Sequence, residues 1–270
     1  MQPGNFIPDM NLSRIRAALL AALLAGAGAC SGGFQVKNYP VPESLYSAGL
    51  EQYNKGRWDN AIAAFEKLTI ELPARDTLLS RSHYYLGKAQ QRRKQHLLAA
   101  QSFTRLTESF PDDTLADDAL MEAGDSYTKM WRKPALDPQY GHTALATYRT
   151  LLSLYPNSAL RPDIERRVVR LEQLMATKDY ETGMYYLRRK FYDPAVLYFK
   201  DVIRKYPDSG RARDSYIRLV QAYRAIKYRD DLKETCDLAL ERYPGDAEFN
   251  SLCRAATPTP VAGDSARAVP

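Results

Sequence analysis

An all-α solenoid of about five helix pairs is the fold class this 270-residue chain predicts, on three observations. An apolar residue followed by proline recurs at Leu72-Pro73, Phe110-Pro111, Tyr155-Pro156, Tyr206-Pro207 and Tyr243-Pro244. Ahead of three of these prolines a glycine stands 24 residues before (Gly49, Gly87, Gly183), an alanine 12 before (Ala61, Ala99, Ala195) and a phenylalanine 8 before (Phe65, Phe103, Phe199). From about residue 43 to residue 256 the chain reads as helix after helix. The small residues let two helix backbones approach, the ring fills the space between pairs, and the proline ends the second helix. A repeat of this kind buries its apolar face only against its neighbours, so the product is an elongated superhelix with a concave surface.

The elements follow in order. The first pair is read at 45–55 and 58–72, with Gly56 making the turn, and the second at 79–93 and 97–110. The third begins at 115–131, but its second helix, which holds Ala144 and Tyr148, starts late. Its glycine-to-proline distance is 32 residues (Gly124 to Pro156), and the extra eight fall in 132–140, where Pro134 and Pro138 break the helix. Before the fourth pair a surplus segment, 161–176, carries Ile164, Val168, Leu171 and Met175 near the helical period, with Pro162 suited to a helix start. It reads as an added helix running on into 180–190, and the fourth pair closes with 194–206. The fifth pair, 213–226 and 230–243, departs most, with Val220, Leu232 and Cys236 in place of glycine, alanine and ring. A short helix at 247–254 caps the end. These boundaries divide the chain into N-terminal repeats 1–3 (43–160) and C-terminal repeats 4–5 with the added helix and cap (161–256); 257–270 has nothing to bury and reads as disordered.

The termini and cysteines carry targeting information. Arg14 and Arg16 precede an apolar run over 17–29, too short to span a bilayer and suited to a secretory signal in 1–29, whose true start would be Met10. Ala27-Gly28-Ala29-Cys30 resembles a bacterial lipobox, although most members have leucine where Ala27 stands. That resemblance implies acylation of Cys30, and Ser31 after it resembles the pattern sorted to an outer membrane; the alternative is an ordinary cut near Ala29 that leaves a free thiol. Residues 30–42 then form a lipidated N-terminus and tether lacking helical periodicity. In an oxidising compartment Cys236 and Cys253 could pair as a disulfide, but the balance leans to two buried thiols acting as small apolar residues.

Composition excludes more than it selects. Lys and Arg number 38 against 32 Asp and Glu, with both signs interspersed along helix faces, so nucleic acid is not an expected partner. The 19 tyrosines mostly fall where rings pack between helices. His83, His96 and His142 are scattered, no cysteine cluster has metal spacing, and no phosphate loop, dinucleotide fingerprint or nucleophile elbow occurs. No catalytic residue, metal or cofactor is therefore assigned. On the first helices the positions three before, one after and four after each signature glycine face the concave side: Tyr46, Leu50 and Tyr53, then Tyr84, Lys88 and Gln91, with Arg92 beside them. Aromatics with flanking bases suit an extended peptide that ends in an aromatic residue and a free carboxylate; the alternative is tyrosines that simply cover the inner wall.

A family resemblance joins these parts. The lipobox-like cysteine, five tetratricopeptide repeats, an interrupted third repeat and the long helix before the fourth resemble the BamD (ComL) family of outer-membrane β-barrel assembly lipoproteins. So do the stretches Leu136-Asp137-Pro138-Gln139, Leu154-Tyr155-Pro156-Asn157-Ser158, Tyr206-Pro207-Asp208-Ser209 and Ala212-Arg213-Asp214. The resemblance covers about residues 30–250. It implies a non-enzymatic, lipid-anchored scaffold on the periplasmic face of an outer membrane. Its partners would be a BamA-like barrel subunit docked on the C-terminal repeats, other lipoproteins of the complex, and unfolded outer-membrane proteins received by the N-terminal repeats. It matches Arg213, followed by Asp214, to an arginine tied to the barrel-subunit contact. The runner-up is a repeat lipoprotein coordinating other envelope or peptidoglycan processes. A DNA-uptake role, suggested by the older family name, ranks lower.

Overall fold

Each helix carries its own start and stop, and the chain accordingly folds as a linear array. The computed structural model describes residues 33–131, 133 and 137–254. Among these the order is α1 (Pro42–Asn54), α2 (Trp58–Glu71), α3 (Thr77–Arg92), α4 (His96–Ser109), α5 (Ala116–Met130) and α6 (Gln139–Leu154), then α7 (Arg161–Arg188), α8 (Tyr192–Lys205), α9 (Gly210–Ile226), α10 (Arg229–Arg242) and α11 (Ala247–Arg254). No strand occurs among the described residues, and the architecture is a tetratricopeptide-repeat solenoid. Asp76 caps α3 by accepting from the Leu78 N–H at 2.8 Å, and Ser209 caps α9 by accepting from the Ala212 N–H at 3.2 Å.

Consecutive helices pack on one another, and the short turns make them antiparallel. First helices of successive pairs also touch, α1 on α3 and α7 on α9, whereas second helices make no comparable contact. The first helices therefore line the inner wall of the superhelix. Within a pair, glycine and ring are interlocked. A Cβ on Gly124 would stand 2.3 Å from the Tyr148 ring, and one on Gly183 would stand 2.7 Å from Phe199. No side chain fits there, so the close approach requires glycine. In the fifth pair both members change together: Val220 is fully buried where glycine stood, and the smaller Cys236 occupies the ring position.

Seven residues after each signature glycine the turn inside the pair needs a left-handed backbone. Gly56 supplies it in the first pair (φ 71°), but Lys94, Lys190 and Lys227 do so in the second, fourth and fifth (φ 61°, 62° and 63°). A residue with a Cβ is less stable there by roughly 1–2 kcal/mol. The third pair, with its longer turn, has Trp131 at φ −87° instead.

The surplus segment and the first helix of the fourth pair are one continuous helix, α7, of 28 residues. Its N-terminal half belongs to the preceding repeat. Arg149 on α6 donates to Glu172 at 2.6 Å, and Arg167 donates to Asp125 on α5 at 3.0 Å, where the Tyr148 hydroxyl also donates at 2.5 Å. The largest buried cluster consequently runs from Leu120 in α5 to Cys253 in α11, without a break at residue 160. Separate clusters serve the first pairs.

Two sequence expectations change at the ends of the array. The segment read as a tether is packed in its described part: Phe34, Val36 and Tyr39 lie against the first repeat's core, Phe34 stacking on Tyr39 at 5.5 Å, with a 3₁₀ turn at Val36–Asn38. Their apolar area is the reason. At the other end Cys236 and Cys253 are not two separate thiols but a disulfide (S–S 2.08 Å) joining α10 to α11. Cys30, the 1–29 segment and the 257–270 tail lie outside the described residues.

Candidate peptide groove and partner face

Tyr46, Leu50 and Tyr53 lie on α1, half-buried against the first core cluster; Tyr84, Lys88 and Gln91 lie on α3, with Arg92 exposed at its last residue. The fold brings them to one wall. Tyr85, which the sequence reading passed over, is the hub: its ring meets Tyr46 at 6.2 Å, Tyr53 at 5.8 Å, Phe65 at 5.8 Å and Tyr84 at 5.7 Å. Tyr53 also meets Trp58 edge-on at 5.1 Å, and the Arg92 guanidinium lies 5.6 Å above the Trp58 ring. Edge-to-face contacts of this kind hold rings in fixed orientations, so the wall is preformed.

The bases beside it differ in availability. Lys88 donates to Glu122 on α5, and Gln91 donates to the same carboxylate at 2.9 Å and to the Ser126 hydroxyl at 3.0 Å. Those contacts span 31 to 35 residues of sequence and tie the second pair to the third. Lys88 and Gln91 are thus engaged within the array, and Arg92 is the cation of the set that remains at the surface. Burial raises the Tyr84 hydroxyl above its ordinary pKa, with Glu122 adding to the effect, and burial likewise raises Tyr46. These phenols stay neutral and can donate a hydrogen bond. Nearby, burial pushes the His83 imidazole down to about 4, with Arg105 assisting, so it stays neutral in the core.

Arg213 sits on the first turn of α9 and Asp214 beside it, but the two side chains take different partners. Arg213 Nε donates to Asp246 at 2.9 Å, its Nη2 donates to Asp246 at 3.1 Å and to Glu248 at 2.9 Å, and its guanidinium lies 5.4 Å above the Phe249 ring. It clasps α11 onto α9. Asp214 accepts from Arg211 at 3.0 Å instead. The signal for the Asp246 clasp was present in the sequence only as an acid after the last Tyr-Pro-Gly turn, which nothing local connects to position 213. The clasp and the Cys236–Cys253 disulfide together fix the last helix. Among the described residues no group of three or more His, Cys, Asp or Glu could hold a metal ion, and no helix is long and apolar enough to cross a membrane.

The outer membrane protein assembly factor BamD of Caulobacter vibrioides is 26% identical over 238 residues, covering 86% of this chain and 76% of the relative. The assembly factor of the same name from Vibrio cholerae is 27% identical over 241 residues, covering 85% of this chain and 98% of the relative. A tetratricopeptide-repeat protein from Bacteroides fragilis aligns with a TM-score of 0.47 at 14% identity, over 80% of this chain and 97% of that one. The profile described as "YfiO: Outer membrane lipoprotein" matches residues 40–238, which takes in α1 through α9 and most of α10, both the aromatic wall and the residue of the α11 clasp on α9. A match over that much of the array places this chain in the YfiO family of outer membrane lipoproteins.

Proposed function

We propose that the chain is a lipid-anchored scaffold on the periplasmic face of the outer membrane, acting in the assembly and insertion of outer-membrane β-barrel proteins without catalysis or a cofactor of its own. The family and the names of the relatives support that setting. The observation that carries the molecular reading is the preformed wall of Tyr46, Tyr53, Tyr84 and Tyr85 on the first helices, with Trp58 and the Arg92 cation at its edge. Such a wall offers flat apolar faces to the aromatic end of an extended unfolded chain, and Arg92 offers two N–H donors to its terminal carboxylate. Lys88, held by Glu122, shapes the wall rather than meeting the peptide. The C-terminal repeats, closed by the Arg213 clasp and the disulfide, form the face for a BamA-like barrel subunit and other lipoproteins of the complex; Cys30 carries the lipid.

Two measurements test this. Tyr53→Ala with Arg92→Ala should weaken binding of a peptide copied from a barrel protein's C-terminus at least about tenfold; unchanged affinity removes the groove from the proposal. Purification of the full chain from solubilised outer membranes should bring down a barrel subunit in stoichiometric amount, and its absence sinks the assembly role.

A further inference from the structure

Helix α3 and its capping residue carry four permanent cations, Arg81, Lys88, Arg92 and Arg93. Two of them are tied into the array: Lys88 donates to Glu122, and Arg93 pairs with Asp59 at 2.7 Å. Arg81 and Arg92 are exposed, and among the described residues neither has a carboxylate within ion-pair distance. Both lie on one face of α3, since eleven residues make three helical turns plus about 20° and advance about 16 Å. Tyr85, the hub of the aromatic wall, stands on the same line, four residues after Arg81 and seven before Arg92. At one end of the line the Arg92 guanidinium lies 5.6 Å above the Trp58 ring. At the other, Arg81 is close enough to Tyr46 for its charge to oppose the rise in that phenol's pKa, and Tyr46 meets Tyr85 at 6.2 Å. The rings therefore run between two guanidinium groups, each with its donors open to a ligand.

The separation selects the kind of ligand. One small anion cannot reach two cations about 16 Å apart, whereas an extended peptide, advancing about 3.3 Å per residue, covers that distance in about five residues. The rings in between suit aromatic or apolar side chains of the same peptide. A single-stranded nucleic acid would also offer stacking and repeated negative charge, but Asp118 and Glu122 stand near Tyr84, where both raise the phenol's pKa, and they repel a polyanion. We propose that Arg81 is a second anchor of the groove, pairing with an acidic side chain about five residues before the terminal carboxylate held by Arg92. The preferred substrates are then unfolded chains with an acid at that distance from an aromatic C-terminus. The proposal rests on the groove reading above and adds to it a register.

The experiment measures the affinity of the full chain, in detergent, for labelled peptides copied from a barrel protein's C-terminus. One peptide has Asp five residues before the end, a second has Asn there, and a third has the Asp moved to two before the end. The first should bind roughly three- to fivefold more tightly than the others, and the difference should shrink at high salt. Arg81→Gln should remove that preference while leaving the affinity for the Asn peptide unchanged. Glutamine is a good helix former and position 81 is exposed, so the variant keeps its fold, which unchanged thermal melting checks. Equal binding of the three peptides by the unaltered chain overturns the proposal, as does a preference that survives Arg81→Gln or an equal loss for Asp and Asn peptides. If in those cases binding still falls with Tyr53→Ala and Arg92→Ala, the groove stands and Arg81 alone is removed from it. If no peptide binds the unaltered chain, the groove reading itself fails.

Discussion

In the fourth helix pair the Phe199 ring lies in the hollow left by Gly183, whereas in the fifth Val220 and Cys236 occupy the two corresponding positions. The residue types differ completely, yet helices α7 and α8 pack on each other as α9 and α10 do. What the repeat holds constant is the volume between two helices, divided either as nothing and a ring or as two medium side chains. Among the described residues no further pair follows the fifth. A short helix covers it instead, held by a disulfide from the very cysteine that replaced the ring and by the Arg213 clasp. An interior repeat is secured by its neighbours, and a terminal one needs local ties.

That comparison can be broken at several places. Truncating the ring, Phe199→Ala, should cost about 3–5 kcal/mol, read by chemical denaturation and by loss of exchange protection across α7 and α8. Next comes Cys236→Ala with Cys253→Ala, which opens a disulfide across 17 residues and should lower stability by about 3 kcal/mol while freeing α11 and leaving α1–α4 unchanged. A third effect separates the two halves by pH. His83 is neutral in the fold with its pKa depressed to about 4, while the unfolded chain protonates near 6.5. Its stabilising contribution is complete above about 6.5 and is lost as pH falls towards 4, roughly 3 kcal/mol in all. His83→Gln should flatten the thermal midpoint over that window; an unaltered slope disposes of the assignment.

Two smaller effects sharpen the comparison. Gly183→Val alone should overpack the fourth pair, but Gly183→Val with Phe199→Cys imitates the fifth. A favourable coupling of about 1–2 kcal/mol in the double-mutant cycle is expected, and strict additivity would show that volume exchange is not the rule. Smallest of all, Lys190→Gly should raise stability slightly, by no more than about 1 kcal/mol, as left-handed strain is relieved against the greater freedom glycine adds to the unfolded chain.

Much of the fold is legible because its determinants are local. The glycine-to-proline interval, the ring eight residues before the proline and the apolar period of 161–176 each describe what one helix pair needs, and all can be read within a few turns. The same spacing located the candidate groove, since a face of α1 or α3 follows from helical periodicity. Position by position, however, it missed Tyr85, whose place at the centre of the aromatic wall depends on three helices meeting.

The sequence by itself therefore determined the repeat, its interruptions and which helix faces turn inward, because the interactions that decide these are within one helix or between two adjacent ones. Only the tertiary structure decided which polar groups meet. Lys88 found Glu122, and Arg213 found Asp246 rather than Asp214, across 34 and 33 residues. It also decided that Cys236 bonds Cys253 and that Phe34 and Tyr39 dock on the first repeat. The physical reason is range. Packing in a solenoid is propagated from neighbour to neighbour, but charges, thiols and exposed rings respond to whatever the accumulated rotation of the repeats brings beside them.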